Sequence, residues 1–199
     1  MKNILVIKSS VSAGQGQSNQ LIDFFLQQVP ATVAVQQIDL VATPFPHLEM
    51  ADLAAWNTPV EERTAAQQQL AALSDDAIAA VQAADLIVVG VPMYNFGLPS
   101  QLKAWLDRIA RAGVTFRYTE TGPVGLLADK PVLVVATRGG IYRDTPNDSQ
   151  TPFLQSILNF VGLTQQHYVY AEALNMGQAE PAIAAAQAEL VTLATQWLR

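Results

Sequence analysis

The chain has no cysteine among its 199 residues. Disulfides, thiolate catalysis and cysteine-ligated zinc or iron–sulfur centres are thereby excluded. Histidine is nearly as scarce: His47 and His167 are the only two, far apart in sequence. A His-rich metal site is excluded, and nothing local supports a Ser-His-Asp triad. No apolar run reaches the roughly 18 to 20 residues of a membrane-spanning helix. Residues Lys2–Ile7 pass directly into a strand-like pattern, without the apolar stretch and small-residue cleavage site of a secretory signal. The expectation is a cytoplasmic protein that does not enter a membrane.

Positive charge is also in short supply. Eleven Lys and Arg against seventeen Asp and Glu leave a net charge of −6. Phosphate backbones want a basic stripe, so nucleic acid is not an expected partner. The bases are unevenly placed. Lys103, Arg108, Arg111, Arg117, Lys130, Arg138 and Arg143 fall within residues 103–143, with only Asp107, Glu120 and Asp129 against them. This is either a solvated helix face with loop charges or a local positive rim suited to an anionic ligand.

What the sequence has in quantity is apolar surface, half of all residues. The length favours one domain over residues 1–199. Ile4–Ile7, Val33–Ile38, Leu86–Val91 and Val132–Thr137 read as buried parallel strands rich in β-branched residues, with a weaker fifth at His167–Ala171. Helical spacing predicts Ser18–Val29, Thr64–Ala83, Gln101–Arg111, Thr151–Val161 and Pro181–Leu198 between and after them. Strict alternation of strand and helix predicts an α/β fold: a flavodoxin-like, doubly wound, five-stranded parallel sheet of order 2-1-3-4-5. Residues 42–63 and 113–130 exceed that pattern. Each is a functional or interfacial excursion, or a lid packed over its own domain.

In such a sheet, ligands sit outside the carboxyl ends of the strands. After the first strand, Ser9-Ser10-Val11-Ser12-Ala13-Gly14-Gln15-Gly16-Gln17-Ser18-Asn19 is rich in hydroxyls and glycine and feeds a helix. Helix N-terminal amides attract anions, and neutral donors suit a terminal phosphate monoester such as that of FMN. The Gly-Lys-Ser/Thr ending of a Walker A loop is absent. A plain helix-capping loop reads the same way. After the third strand, Met93, Tyr94, Asn95 and Phe96 stand between Pro92 and Pro99. They supply a flat apolar face and amide donors for a flavin ring, or alternatively a buried helix-entry staple. After the fourth, Thr137-Arg138-Gly139-Gly140 lets amides approach a ligand closely, and Arg138 or those amides would stabilise negative charge on a reduced ring. A simple turn explains the glycines equally. The three loops together point to a flavin.

With these pieces assembled, the sequence resembles the bacterial FMN-dependent NADH:azoreductase and quinone oxidoreductase family. The resemblance is carried by Lys8-Ser9-Ser10, Gln17-Ser18-Asn19-Gln20-Leu21, Pro92-Met93-Tyr94-Asn95-Phe96, Ala110–Glu120 and Arg138-Gly139-Gly140, and covers essentially the whole chain. It implies a non-covalent FMN and a homodimer with two sites at the subunit interface. It also implies a ping-pong cycle: NADH or NADPH delivers a hydride to flavin N5, then a quinone or azo compound takes the two electrons. No side chain is assigned a catalytic role. By position, the resemblance puts Ser10, Gly16, Gln17 and Ser18 at the phosphate. Met93, Tyr94, Asn95 and Phe96 fall at the ring and ribityl chain, and Thr137, Arg138, Gly139 and Gly140 at the pyrimidine edge. Tyr118 and Phe160 fall by the substrate pocket, partly across the dimer. Phe160, near Ile157 and Val161, reads equally as a core residue. One departure concerns Gln15-Gly16, where relatives carry an aromatic or hydroxyl residue: Gly16 has only its N–H to offer.

Two other classes are weighed against an enzyme. A monomeric flavodoxin would pass single electrons to protein partners, but the long excursions favour a dimeric enzyme. A non-catalytic redox sensor is disfavoured by the lack of cysteine and of an appended DNA-binding module.

Overall fold

The computed structural model describes residues 1–198. Along the chain run β1 (Asn3–Lys8), α1 (Gln17–Leu26), β2 (Ala34–Asp39), α2 (Met50–Asn57), α3 (Ala65–Ala83), β3 (Leu86–Pro92) and α4 (Ser100–Ile109). Then follow β4 (Phe116–Thr119), β5 (Gly122–Gly125), β6 (Val132–Thr137), α5 (Gln150–Val161), β7 (Gln166–Ala171) and α6 (Ala179–Trp197). Five strands form one parallel sheet in the order β2-β1-β3-β6-β7. With the antiparallel β4–β5 ribbon set aside, this is the predicted 2-1-3-4-5.

The centre of the sheet forms where apolar residues run without alternation. Every residue of β3 and β6 is buried, as strands covered on both faces require. β1 shows how the two faces divide. Leu5 and Ile7 pack with Val81 of α3, Trp105 of α4 and Leu158 of α5. Ile4 and Val6 pack with Phe25 of α1 and Leu190 of α6. The edge strand β2 carries Gln36 and Gln37 and is largely exposed.

Local chemistry fixes the helix ends. Thr64 caps α3 in a capping box with Gln67. At the other end of α3, Lys130 Nζ donates to the carbonyls of Val81, Gln82 and Ala84 at 2.8, 3.0 and 2.5 Å. Burial pushes the Lys130 ammonium down from its usual pKa. α5 stops at Gly162, whose φ of 102° suits a residue without Cβ.

Both excursions are structured. Residues 42–63 hold α2 and are fastened by α4: Arg108 Nη1 donates to Asp52 Oδ1 at 2.5 Å, and Nη2 to the Pro46 and His47 carbonyls at 3.1 Å. Arg111 bonds Asp75 at 2.5 Å and lies over Trp56 at 5.5 Å. Residues 113–130 form the β4–β5 ribbon, which lies on the end of α5 through Leu127 N–H to the Val161 carbonyl, 3.1 Å. These contacts correct the idea of a basic rim. Arg108, Arg111, Lys130 and Arg138 are buried, and each is held by carboxylates or carbonyls of its own chain.

Candidate cofactor site

Outside the carboxyl ends of β1, β3 and β6 lies a cleft of about 320 Å³. Ser10, Gly16, Gln17, Met93, Tyr94, Thr137, Arg138 and Gly139 all line it. The three loops picked out by sequence thus meet at one place, and the volume lies within the range of small-molecule sites.

The loop after β1 presents a helix start without a side-chain cap. The N–H groups of Gln17, Ser18 and Asn19 donate to no acceptor among the described residues. Such orphan donors at the positive end of a helix dipole form an anion site. Beneath them the Ser18 hydroxyl is buried with no hydrogen-bond partner, so Ser18 does not form part of the cleft wall. Gly16 behaves differently from expectation. Its N–H donates to the Ala13 carbonyl at 3.1 Å and is not free for a ligand. A Cβ there would sit 2.6 Å from Ser10 Cβ and overlap the Ser10 hydroxyl, so glycine is required by space.

The loop after β3 is a tight turn. Tyr94 and Gly97 exchange backbone bonds of 3.1 and 2.9 Å, with Asn95 and Phe96 between them at φ 49° and 65°. Two positive φ values define a type I′ turn, which asparagine tolerates, whereas for an aromatic such as Phe96 the left-handed region costs on the order of 1–3 kcal/mol. Asn95 and Phe96 stand exposed at its tip, next to the cleft-lining Tyr94 but outside the cleft wall. Phe96 meets Tyr142 edge-to-face with 5.6 Å between centroids. The Met93 N–H donates to the Thr137 carbonyl at 2.9 Å, tying this loop to the next.

In the loop after β6, the role expected of the Arg138 side chain is corrected. The guanidinium is 2 % exposed. It holds Asp148 with two bonds of 3.0 and 2.9 Å, Glu172 at 3.1 Å and Thr151 Oγ1 at 3.0 Å, and lies over Tyr170. Its N–H donates to the Ala171 carbonyl at 2.9 Å. Two carboxylates already satisfy this charge, so it is not free to face a ligand. Burial raises the Asp148 carboxyl, and the Thr151 amide, the Arg138 guanidinium and the Thr151 hydroxyl together outweigh it, leaving Asp148 below the usual carboxylate range. The free donors lie one step on. The amides of Gly139 and Gly140 have no acceptor among the described residues. Gly140 does not itself line the cleft; a Cβ on it would sit 2.8 Å from the Tyr142 ring.

The cleft has a fourth wall that sequence reasoning missed, made by Leu174 and Asn175 after β7. Asn175 N–H donates to the Gly139 carbonyl at 2.9 Å. The available signal was the strand order itself, which puts the loop after the fifth strand beside the loop after the fourth. Ser12, Gln15 and Pro92, named in these loops without an assigned role, also line the cleft. Tyr118 and Phe160 do not reach this cleft in their own chain. They flank Phe116 instead, at centroid distances of 5.6 and 4.1 Å. Phe160 packs against the core, whereas Tyr118 on the ribbon is 74 % exposed.

A parallel sheet of this order, with an uncapped helix start and the free Gly139 amide at one cleft on its carboxyl edge, defines a flavodoxin-like protein. The model of the flavodoxin-like fold family matches residues 2–194. The chain is 52 % identical over 194 residues to the FMN-dependent NADH:quinone oxidoreductase of Cellvibrio japonicus, covering 96 % of this chain and 97 % of that protein. It is 47 % identical over 197 residues to the protein of the same name from Alteromonas mediterranea, covering 97 % and 98 %. Among solved structures, it is similar to an FMN-dependent NADH-azoreductase from Bacillus anthracis in complex with FMN (TM-score 0.88, 26 % identity, all of both chains). This chain belongs to that flavodoxin-like family of FMN-dependent oxidoreductases.

Proposed function

We propose that the chain is an FMN-dependent NAD(P)H oxidoreductase that reduces quinones and azo compounds. The observation that carries this reading is one cleft lined both by Gln17 at the start of α1 and by Gly139 after β6, whose amides, like those of the adjoining Ser18, Asn19 and Gly140, have no acceptor among the described residues. A dianionic phosphate fits the amides at the start of α1. An electron-rich ring edge fits the glycine amides after β6.

In this reading Ser10, Gln17 and Ser18 hold the phosphate, while Gly16 keeps the loop close to Ser10. Met93, Tyr94, Asn95 and Phe96 hold the ring and ribityl chain. Thr137, Gly139 and Gly140 hold the pyrimidine edge, and Arg138 stiffens that loop from below. FMN held by these residues would supply two-electron hydride chemistry between NADH or NADPH and the acceptor. The protein's share is to orient the ring, shield one of its faces and leave the other open to reactants. Neither histidine lines the cleft, in keeping with a reaction that relies on positioning rather than on a side-chain acid or base.

The finer parts of the proposal are a single doubly wound domain over residues 1–199, a cytoplasmic location and a homodimer. Support for the dimer comes from Val114, Tyr118, Val124 and Leu126, apolar side chains left exposed on and around the ribbon. In a dimer Tyr118 and Phe160 are proposed to meet the partner's site. Purified protein supplied with FMN is expected to be yellow and to bleach with NADH without oxygen, then recover its colour on addition of a quinone. A protein that binds no FMN by titration would refute the reading.

A further inference from the structure

The Asn95-Phe96 turn needs outside support, since Phe96, a bulky aromatic, disfavours the left-handed region it occupies, although Asn95 tolerates it. That support comes from the start of α5. Gln150 is 1 % exposed. Its Nε2 donates to the Pro92 carbonyl at 3.0 Å and to the Gly97 carbonyl at 2.9 Å, one at each end of the segment that carries the turn. Next to it, the Ser149 hydroxyl donates to the Phe96 carbonyl in the middle of the turn. Both acceptors of Gln150 are carbonyls, so the amide orientation is forced, and Oε1 is left buried without a partner. An unmet buried acceptor is costly. The fold keeps it here because the two donor bonds hold a strained loop whose shape matters.

We infer that Gln150, helped by Ser149, is a positioning residue that fixes residues 92–97 in the shape that grips the flavin ring. This rests on the FMN reading above. Neither residue lines the cleft, so each acts through the backbone of the segment it holds. Without the clamp, the turn relaxes toward negative φ, and Tyr94 and Met93 shift relative to the amides of Gly139 and Gly140. Binding geometry of this kind tolerates displacements of only about 0.5 Å.

The test is FMN titration by quenching of flavin fluorescence, at a temperature where each apoprotein is folded by circular dichroism. Gln150→Met keeps the length of the side chain and removes both donors. It is expected to raise the FMN dissociation constant at least tenfold. Ser149→Ala, at an exposed position, is expected to fold normally and raise it about threefold. Ser74→Ala serves as the control, because it removes a buried bond to the Arg108 carbonyl far along the chain from this loop. Its FMN affinity is expected to stay within twofold of wild type. Wild-type protein without FMN binding would remove the underlying reading. Wild-type binding with an unchanged constant in Ser149→Ala, or in a folded Gln150→Met, overturns the clamp alone. So does an equal loss in Ser74→Ala, which would mark a general loosening. If Gln150→Met does not fold, Ser149→Ala decides.

Discussion

The phenol oxygen of Tyr94 lies 3.2 Å from Ser10 Oγ and 3.2 Å from the Val11 amide nitrogen. The side chain of the loop after β3 therefore reaches across to fasten the loop after β1. This role was not visible in the sequence, where Tyr94 reads only as an aromatic face. Tyr94→Phe keeps the ring and removes both contacts. A hydrogen bond of this kind contributes a net of about 0.5–1.5 kcal/mol, so the FMN dissociation constant is expected to rise about three- to tenfold. The apoprotein melting temperature is expected to fall by about 1–6 °C. Unchanged FMN affinity would show that the strut does not couple the two loops.

Gly16 gives a second prediction with a built-in rescue. Gly16→Ala drives a methyl group into the Ser10 side chain. Overpacking of this sort costs about 1–3 kcal/mol, and it also displaces the start of α1, so FMN binding should weaken along with stability. Ser10→Gly in the same chain restores the room. If the double variant remains as unstable as Gly16→Ala in urea denaturation, the clash is not the reason for glycine at this position.

The parallel sheet was legible because β3 and β6 are unbroken apolar runs and because turns and helices alternate with strands. The meeting of three loops at one cleft follows from that order alone. What the sequence hid is which atoms remain free. Arg138 looks like the obvious cation for an electron-rich ring, yet Asp148 and Glu172 claim it from residues 10 and 34 positions away. Gly16 looks like a donor, yet its amide turns back to Ala13. Long-range pairing of this kind has no local signature. The same holds for Gln150, a polar residue at the start of an amphipathic helix whose two acceptors lie more than fifty residues upstream.

The excursion at 42–63 depends on one buried ion pair. Arg108 and Asp52 are each almost fully enclosed, at 1 % and 3 % side-chain exposure. Removing one partner leaves the other charge buried and unpaired, which costs about 3–5 kcal/mol. Asp52→Leu is therefore expected to lower the urea midpoint sharply. Adding Arg108→Met should recover part of that loss, and not all of it, because the Pro46 and His47 carbonyls lose their donor. A double variant whose loss equals the sum of the two single losses would show that the pair is not coupled.

Besides Asp148, two carboxylates at strand ends contribute to the behaviour in acid. The Thr164 hydroxyl, 2.5 Å from Asp129 Oδ2, and the Thr164 amide hold the Asp129 carboxyl below its usual pKa against the opposing effect of burial. The amides of Lys2 and Asn3, at 2.7 and 3.0 Å, do the same for Asp85. In the unfolded chain both groups return to about 3.9. Above that value they are ionised in both states, and their stabilising contribution is fully present. As pH falls below it, the unfolded chain takes up protons first, and stability declines until the lower folded values are passed. Urea midpoints of the wild type should thus stay level with respect to these groups from about pH 7 to pH 5 and fall below about pH 4. The variant carrying Asp85→Asn and Asp129→Asn should start lower near neutrality and lose less on acidification. Parallel acid limbs for the two proteins would mean that Asp85 and Asp129 contribute nothing to the loss of stability in acid.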